Sequence, residues 1–171
     1  MRKYYTFKRG VVVLADFSPQ VGSEIKGKHF AIVLTKKDRN TNELLTVIPL
    51  TSKYHKAHID FGNEIYENIY KKIMSSLEQV IKNYSCLYEV FDEEYHEKVI
   101  EPMEMCNQIA KKYSLLKEHT YGKPQQITTI SKLRIVKPIN KLDPIRQLKV
   151  SNKVMDQIDE AIIYLLTNKS V

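Results

Sequence analysis

The chain has 171 residues, of which 43% are hydrophobic and 27% charged, and its formal net charge is +7. This length allows one domain with a substantial core. The N-terminus lacks the apolar stretch of a signal peptide. The longest apolar run, residues 11–15, is far too short to cross a bilayer. We therefore expect a cytoplasmic protein with no membrane partner.

The positive charge is unevenly distributed. Residues 63–121 carry a net charge of −4, whereas the remainder carries +11. A basic body with an acidic appendage favours a polyanionic partner such as a nucleic acid. The alternative is a solvated, lysine-rich surface.

The two cysteines, Cys86 and Cys106, lie in segments with a helical pattern. Secreted disulfide scaffolds use more cysteines, and neither cysteine has a second metal ligand at a suitable spacing. We expect two buried thiols, no metal site and no cofactor.

The first 62 residues contain short β-type runs separated by turn residues. The runs are residues 11–17, 30–35, 44–48 and 57–61. Four closely spaced strands of about five residues are typical of a barrel or a curled sheet.

The middle of the chain changes to a helical period. Apolar residues fall on one helical face from Ile65 to Tyr84, Asp92 is a candidate N-cap for a second helix, and a third apolar stripe runs over residues 106–116. This pattern predicts a helical hairpin within residues 63–121. Since its two ends must lie near one another, at Phe61 and Gly122, we expect a short linker to replace it without loss of the barrel.

After Gly122 the β pattern returns, with strands predicted at residues 126–130 and 132–136. A last apolar face, from Val154 to Leu165, predicts a C-terminal helix with Ser151 or Asn152 as its cap. Strands and helices in this order predict the α+β class.

Three segments, in order, resemble the PemK/MazF family of toxins. Residues 9–24 (RGVVVLADFSPQVGSE) resemble the family's first strand and glycine–serine–glutamate loop. Residues 45–52 (LTVIPLTS) resemble the strand that ends in a catalytic threonine, and residues 126–134 (QITTISKLR) resemble a glutamine-led strand and turn. The resemblance implies an SH3-like small β-barrel with a C-terminal helix. On this interpretation residues 1–171 form one domain, and residues 63–121 are a helical insertion within it.

The resemblance also implies an activity and partners. Family members are homodimers that cut single-stranded RNA without a metal, leave a cyclic phosphate and are inhibited by a cognate antitoxin. The family's catalytic threonine corresponds to Thr51. Where most members have arginine–proline after the loop, this chain has His29 and Phe30.

Metal-free RNA cleavage needs a base, an acid and donors that stabilise the phosphorane. Histidine can exchange protons near neutral pH, so His29 is a candidate replacement for the family arginine. Lys28 is a candidate to restore the lost charge, provided that it is not yet in a strand, where neighbours face opposite sides. Thr51 can donate to a phosphate oxygen. The alternative for His29 is a loop histidine with no role in proton transfer. The alternative for Thr51 is a turn residue that ends a strand.

Further residues are candidates for binding RNA, and Ser23 and Glu24 have the alternative role of holding the loop in shape. The complete set is Ser23, Glu24, Ser52, Gln126, Thr128 and Lys132. His55 and His58 form a pair three residues apart. In a strand this spacing faces opposite sides, so a solvated or RNA-facing edge is favoured over a metal site.

The sequence thus predicts a metal-independent endoribonuclease toxin that cleaves single-stranded RNA through attack by the 2′-hydroxyl. Two alternatives remain. One is a non-catalytic nucleic-acid-binding barrel that lost its activity with the arginine. The other is a toxin that poisons a protein target such as a topoisomerase, although the basic body favours nucleic acid.

Overall fold

The computed structural model describes residues 3–19, 21–84, 100, 104, 119–137, 145–146 and 148–167. The regular elements are β1 (Val12–Asp16), β2 (Lys28–Val33), β3 (Leu44–Thr51), β4 (Ile59–Asp60), α1 (Glu64–Tyr84), β5 (Tyr121–Gly122), β6 (Thr128–Ser131), β7 (Ile135–Lys137) and α2 (Asn152–Thr167). Short 3-10 turns precede β6 and β7, at Pro124–Gln126 and Lys132–Arg134. The second and third predicted helical stretches, and both cysteines, lie outside the described residues.

The strands form one antiparallel sheet. Its order is β4-β5-β3-β2-β1-β7, and β6 pairs with β3 beside β5. Helices and an antiparallel sheet confirm the α+β class. Among the described strands the pairing does not close into a barrel, so the predicted SH3-like barrel is not confirmed. No helix of the described ranges is long and apolar enough to span a membrane.

The central strands are buried on both faces because their apolar residues are nearly continuous. On one face, Val13, Ala31 and Val47 belong to a core that includes Phe17. On the other, Ile32 and Ile48 belong to a core that the helices complete. The strands therefore form a rigid platform, and their ends can carry a site.

Helix α1 begins as part of this second core. Ile65 and Ile69 are 1% and 3% exposed and lie in the same cluster as Val154 and Ile158 of α2. The Glu64 carboxylate accepts hydrogen bonds from the backbone N–H and the hydroxyl of Ser151, both at 2.7 Å. The Ser151 hydroxyl in turn accepts from Val154 N at 3.3 Å, which confirms Ser151 as the cap of α2.

The two ends of the predicted insertion meet, as expected. Phe61 N donates to Thr120 O at 3.0 Å, and Thr120 N donates to Gly62 O at 2.9 Å. A Cβ on Gly122 would lie 2.7 Å from the Phe61 ring, so only glycine fits there. However, Ile65 and Ile69 are core residues. The expectation that all of residues 63–121 can be replaced must therefore be revised, because replacement would remove part of the core.

Most strand boundaries differ from the prediction by one to three residues, and β3 continues through Pro49 to Thr51 instead of ending at Ile48. Strand β2 begins at Lys28, two residues before the predicted start. Residues Lys132–Arg134 form a 3-10 turn rather than the start of a strand, because the Ser131 hydroxyl caps them by accepting from Leu133 N. Strand β5 has two residues, which is too short for a periodic pattern.

Candidate functional site

The start of β2 and the end of β3 lie at the same end of the sheet and carry His29 and Thr51, two of the three predicted catalytic residues. Strands β2 and β3 pair with Ala31 opposite Pro49. The pairing of these two strands ends there. His29 and Thr51 each lie two residues beyond this pair, on the same faces as Ala31 and Pro49, because side chains alternate along a strand. Directly opposed residues point to the same face of a sheet. His29 and Thr51 therefore share one face at one end of the sheet.

The ring of His29 is half-buried and oriented by two contacts. It packs edge-on against Phe17, with 6.5 Å between ring centroids. Its Nε2 lies 3.0 Å from the carbonyl oxygen of Lys26. Because a carbonyl only accepts, Nε2 carries the proton and donates. The neutral ring then presents Nδ1 as a base, which is what removal of a 2′-hydroxyl proton requires.

Thr51 ends its strand with the hydroxyl held in place. Its Oγ1 accepts a hydrogen bond from Lys53 N at 3.1 Å. Since the hydroxyl is the acceptor in this bond, its own hydrogen remains able to donate. The side chain is half-buried, whereas Ser52, next along the chain, is exposed.

Lys28 lies on the other face of β2 from His29, because the strand has already begun at Lys28. The expectation that it would sit beside His29 and restore the charge there is therefore wrong. Lys28 instead pairs across the sheet with Asp16. The pKa of Asp16 is held below its usual value. The Ser18 backbone N–H at 2.9 Å contributes most; burial partly opposes it, and the Ser18 hydroxyl and the charges of Lys28 and Arg134 add to it.

Arg134 is a fixed cation at this end of the sheet that the sequence did not suggest. It precedes Ile135, which pairs with Ala15, and Ala15 also pairs with His29. Its Nη1 donates to the carbonyl of Ser18 at 2.8 Å. Strand β1 lies between Arg134 and His29, the position at which most family members have arginine. The sequence around Arg134 does not indicate this location, because it depends on the pairing of β1 with β7.

The glycine–serine–glutamate loop is closed by its own side chains. The Glu24 carboxylate accepts from Val21 N at 3.2 Å, and Gln126 Nε2 donates to the carbonyl of Ser23 at 3.0 Å. These bonds support the loop-shaping role for Ser23 and Glu24. Gln126 Oε1 is buried and has no hydrogen-bond partner among the described residues. Gln126 thus fixes the loop to the 3-10 turn before β6.

Two other predicted RNA contacts lie elsewhere. Thr128 is half-buried on β6, opposite Val47. The side chain of Lys132 is 3% exposed, and its ammonium lies 2.7 Å from Asp38 Oδ1. Lys132 is therefore part of a buried ion pair and does not present its charge to RNA.

A histidine pair follows Thr51 in the loop between β3 and β4. The rings of His55 and His58 lie 5.1 Å apart. The expectation that they face opposite sides was wrong, because these residues form a turn and not a strand. His58 Nδ1 lies 3.1 Å from the carbonyl of Lys53, so Nδ1 donates and Nε2 is the free nitrogen of the neutral ring.

The surroundings of His58 favour its neutral form. Burial lowers its pKa most, the nearby charges of His55 and Lys123 lower it further, and the hydrogen bond to Lys53 opposes them. Beside this pair, Tyr121 contacts the Tyr54 ring edge-on at 5.8 Å and stacks with the His119 ring at 6.0 Å. Tyr54 is 75% exposed, so it offers a free aromatic face next to Thr51.

No cluster of three or more metal-ligating side chains exists within the described ranges. The arrangement at this end of the sheet is instead two imidazoles with defined free nitrogens, a positioned hydroxyl, a guanidinium and exposed aromatic rings. Such a set can bind a phosphate and exchange protons with it.

Comparison with protein families gives one match. Residues 8–82 match the model of PemK-like, MazF-like toxins of type II toxin–antitoxin systems. The match covers less than half of the chain. It includes His29 and Thr51, and it extends through most of α1 into the segment predicted as an insertion. A comparison with curated proteins gives no match.

Proposed function

We propose that the chain, whose residues 8–82 match the PemK-like, MazF-like toxins of type II toxin–antitoxin systems, is a member of that family and an endoribonuclease. It cuts single-stranded RNA in the cytoplasm without a metal ion or cofactor, by attack of the 2′-hydroxyl on the adjacent phosphate. The observation that supports this proposal is the pairing of Ala31 with Pro49, since His29 and Thr51 each lie two residues beyond this pair on the same face of the sheet.

In this mechanism Nδ1 of His29 takes the proton of the 2′-hydroxyl. The 2′-oxygen then attacks phosphorus, and the bond from phosphorus to the 5′-oxygen breaks. The leaving 5′-oxygen takes up a proton from solvent water. The products are a 2′,3′-cyclic phosphate and a 5′-hydroxyl. The bond from Nε2 of His29 to the Lys26 carbonyl supports this role, because it leaves Nδ1 as the basic nitrogen.

Thr51 and Arg134 stabilise the charge that develops on the phosphate. The Thr51 hydroxyl accepts from Lys53 N and so keeps its hydrogen for a phosphate oxygen. Arg134 adds a permanent positive charge, which a neutral His29 does not supply. Lys28 contributes to the local field from the opposite face of β2, through its position across from Asp16.

His58 is a second candidate for proton transfer. Its Nε2 is free, and its lowered pKa keeps the ring neutral near pH 7. A neutral ring acts as a base, so His58 competes with His29 for the role of base rather than supplying the acid. Separate replacement of the two histidines distinguishes them.

For RNA recognition, Ser23, Ser52 and Thr128 offer hydroxyls for contacts to RNA, and Gln126 positions the loop. Glu24 acts through the shape of the loop. Lys132, being buried, is left out of the site. The exposed ring of Tyr54 is an added stacking surface for a base.

The test is RNA cleavage in EDTA by three forms of the protein. The wild type is compared with Thr51→Val, which keeps the shape but lacks the hydroxyl, and with Thr51→Ser, which keeps the hydroxyl. We expect Thr51→Val to lose roughly 10²–10³ in rate, the usual cost of one oxyanion donor, and Thr51→Ser to retain most of the activity. Equal rates for wild type and Thr51→Val would remove Thr51 from the mechanism.

The same assay tests the alternatives. RNA that is bound but never cut by the wild type would identify a non-catalytic nucleic-acid-binding protein. A wild type that neither binds nor cuts RNA, yet remains toxic to cells, would favour a protein target such as a topoisomerase. The basic charge outside residues 63–121 favours RNA over a protein target.

The complete assembly is also part of the proposal. Type II systems pair a toxin with an antitoxin, so we expect a cognate antitoxin to inhibit the cleavage. We expect a homodimer, with a mass in light scattering of about twice the 20.0 kDa chain. A stable monomer that cuts RNA at the full rate would contradict the dimer.

An SH3-like barrel in a single domain is the fold that we propose for the whole chain. Strand β6 pairs with β3 on one side of the sheet, β7 pairs with β1 on the other, and only the turn Lys132–Arg134 separates them. So short a connection supports a sheet curled until its edges approach. The hydrogen bonds between Phe61, Gly62 and Thr120 support a segment inserted between two adjacent points of that domain.

A further inference from the structure

A second basic surface lies at the other end of β2, away from His29 and Thr51. Here residues 5–8, 36–38, 146 and 149, with Val11, line an open cavity of about 750 Å³. This volume falls within the roughly 300–1,000 Å³ of known ligand pockets. At the rise of an extended chain, the path from His29 to Lys36 is up to about 23 Å long. The lining contains none of the residues of the candidate catalytic site, and Lys36 lies beyond the opposite end of β2 from His29, so the cavity is a different site.

Five cationic side chains line this cavity, and they are Lys8, Lys36, Lys37, Arg146 and Lys149. In the part of the chain that the structure describes, none of the five forms an ion pair. The one acid of the lining is Asp38. Both of its oxygens are used, Oδ1 by Lys132 at 2.7 Å and Oδ2 by Phe7 N at 2.9 Å. The cavity thus has a strong positive field that no lining carboxylate neutralises.

An aromatic surface lies among these charges. Tyr5 is 52% exposed, and Phe7 packs edge-on against it at 5.0 Å. The Arg146 guanidinium lies 5.8 Å from the Tyr5 ring centroid, and its Nε donates to the Tyr5 hydroxyl at 3.1 Å. The ring is therefore held at a fixed angle with part of its surface free, and a nucleobase can stack there at little entropic cost.

The fold holds this lining rigidly. Val11 bridges to Lys149, and Val12 N donates to Leu148 O at 2.9 Å, so the segment with Arg146 and Lys149 is fixed to the start of β1. Gly10 has φ +84°, and the stem of Lys149 lies 3.1 Å from where its Cβ would be. The glycine thus lets the Lys149 stem pack against the backbone. Lys36 and Lys37 follow the end of β2 after two residues, Leu34 and Thr35.

We propose that this cavity is a second binding site for single-stranded RNA, in which Tyr5 stacks on a base and the lysines contact the neighbouring phosphates. Unpaired cations beside an exposed ring are the combination that single-stranded nucleic acids require. An acidic peptide would use the cations but not the ring. The proposal rests on the proposed function in that RNA is the substrate. It adds a contact beyond the opposite end of β2 from His29.

The experiment measures binding and does not depend on cleavage. The probe is a fluorescein-labelled, twelve-nucleotide oligouridylate, titrated by fluorescence anisotropy over a range of salt concentrations. All cavity variants are made in the Thr51→Val background so that cleavage is slowed, and gel electrophoresis of the probe after each titration establishes that it is uncut. Each lysine that contacts a phosphate adds about 0.7 to the slope of log K against log salt for a single strand. We expect Lys36→Gln with Lys37→Gln to lower the slope by about 1.4.

The ring is tested by two substitutions at Tyr5. Loss of one stacked base corresponds to roughly a five- to hundredfold loss of affinity, which we expect for Tyr5→Leu without a change in the salt slope. Tyr5→Phe keeps the ring and should bind like the parent. Far-ultraviolet circular dichroism and melting temperature establish that each variant is folded.

Lys153→Gln is the matched control, because Lys153 is exposed on α2 and does not line this cavity. The proposal is overturned if the cavity variants bind RNA like their parent, or if Lys153→Gln lowers the slope as much per lysine. It is also overturned if the variants lose binding to a labelled polyglutamate peptide but keep binding to RNA. Absence of cleavage by the wild type in EDTA, with these binding losses intact, would refute the proposed nuclease and not this site.

Discussion

The ammonium of Lys132 lies 2.7 Å from Oδ1 of Asp38, and the two side chains are only 3% and 1% exposed. Lys132 also donates to the carbonyl of Arg39 at 3.1 Å, and the second Asp38 oxygen accepts from Phe7 N. The pair thus joins the N-terminal segment, the turn after β2 and the 3-10 turn before β7. A buried charge with all of its hydrogen bonds made is a structural element.

Loss of one member of this pair should strongly destabilise the fold. Lys132→Met fills the space but leaves the Asp38 carboxylate buried without its cation. We expect a loss of about 3–5 kcal/mol in the free energy of unfolding, measured by urea denaturation. Adding Asp38→Asn removes the unpaired charge and should recover part of the loss. If Lys132 contacted RNA instead, Lys132→Met would weaken RNA binding and leave stability unchanged.

The sequence predicted what depends on local pattern. The apolar stripe from Ile65 predicted α1, and Ser151 was identified as a cap from its position before the stripe of α2. The sites that it missed depend on pairing between distant segments. Lys132 resembles any exposed lysine until Asp38, far away in sequence, is brought next to it. Arg134 reaches the candidate site only through the pairing of β7 with β1.

The same limit applies to the histidines. An alternating pattern was extended through His55 and His58, although the chain turns there and brings the rings to 5.1 Å. The start of β2 was predicted too late because Lys28 and His29 are polar, and polar residues at the end of a strand carry little β signal. That boundary decides the face on which Lys28 lies.

Replacement of His29 tests proton transfer at the candidate catalytic site. We expect His29→Ala to lose about two to four orders of magnitude in cleavage rate, the usual contribution of a general base. His29→Arg cannot accept a proton but restores the family's charge. The rates come from single-turnover cleavage of one labelled RNA, with His55→Asn as a matched exposed histidine. Cleavage by His29→Ala at the wild-type rate would exclude the proton-transfer role.

High activity of His29→Arg would have a different meaning. It would show that a fixed positive charge is the main contribution to catalysis at this position, since arginine stays protonated throughout the working pH range. Low activity of both variants would favour the basic nitrogen of the imidazole. A rate loss confined to His58→Gln would instead identify His58 as the proton acceptor.

Stability should depend on pH through His58. Burial is the main cause of its lowered pKa, so the folded state binds a proton less readily than the unfolded chain, where histidine titrates near about 6.5. This difference in pKa stabilises the folded state, and its contribution is fully present above the pKa of the unfolded chain. It is lost as the pH falls from there through the lower folded-state pKa.

We therefore expect wild type to lose stability relative to His58→Gln as the pH is lowered from 7 to 5, measured by urea denaturation at each pH. Proton NMR of the His58 ring should show a titration midpoint below that of a histidine in a short peptide. His55→Asn removes one neighbouring positive charge and should move this midpoint upward. A midpoint at or above the peptide value would contradict the assignment.

The extent of the removable segment follows from the packing of α1. Ile65 and Ile69 lie in the core, Glu64 binds the cap residue Ser151, and Lys72 Nζ donates to the carbonyl of Arg146 at 2.9 Å. The first turns of α1 therefore belong to the body of the domain. We expect that residues 73–118 can be replaced by a glycine–serine linker, whereas replacement of residues 63–118 removes two core isoleucines.

The required linker is short. From Glu64 to Lys72 the helix advances about 12 Å, and a ten-residue glycine–serine chain has a root-mean-square span of about 16–19 Å. We expect the 73–118 replacement to unfold cooperatively near the wild-type midpoint. The 63–118 replacement should lose at least the roughly 2–5 kcal/mol typical of truncating one buried isoleucine. A matched double variant, Ile65→Ala with Ile69→Ala in the full chain, should reproduce most of that loss. Equal stability of the two replacements would show that α1 is dispensable to the core.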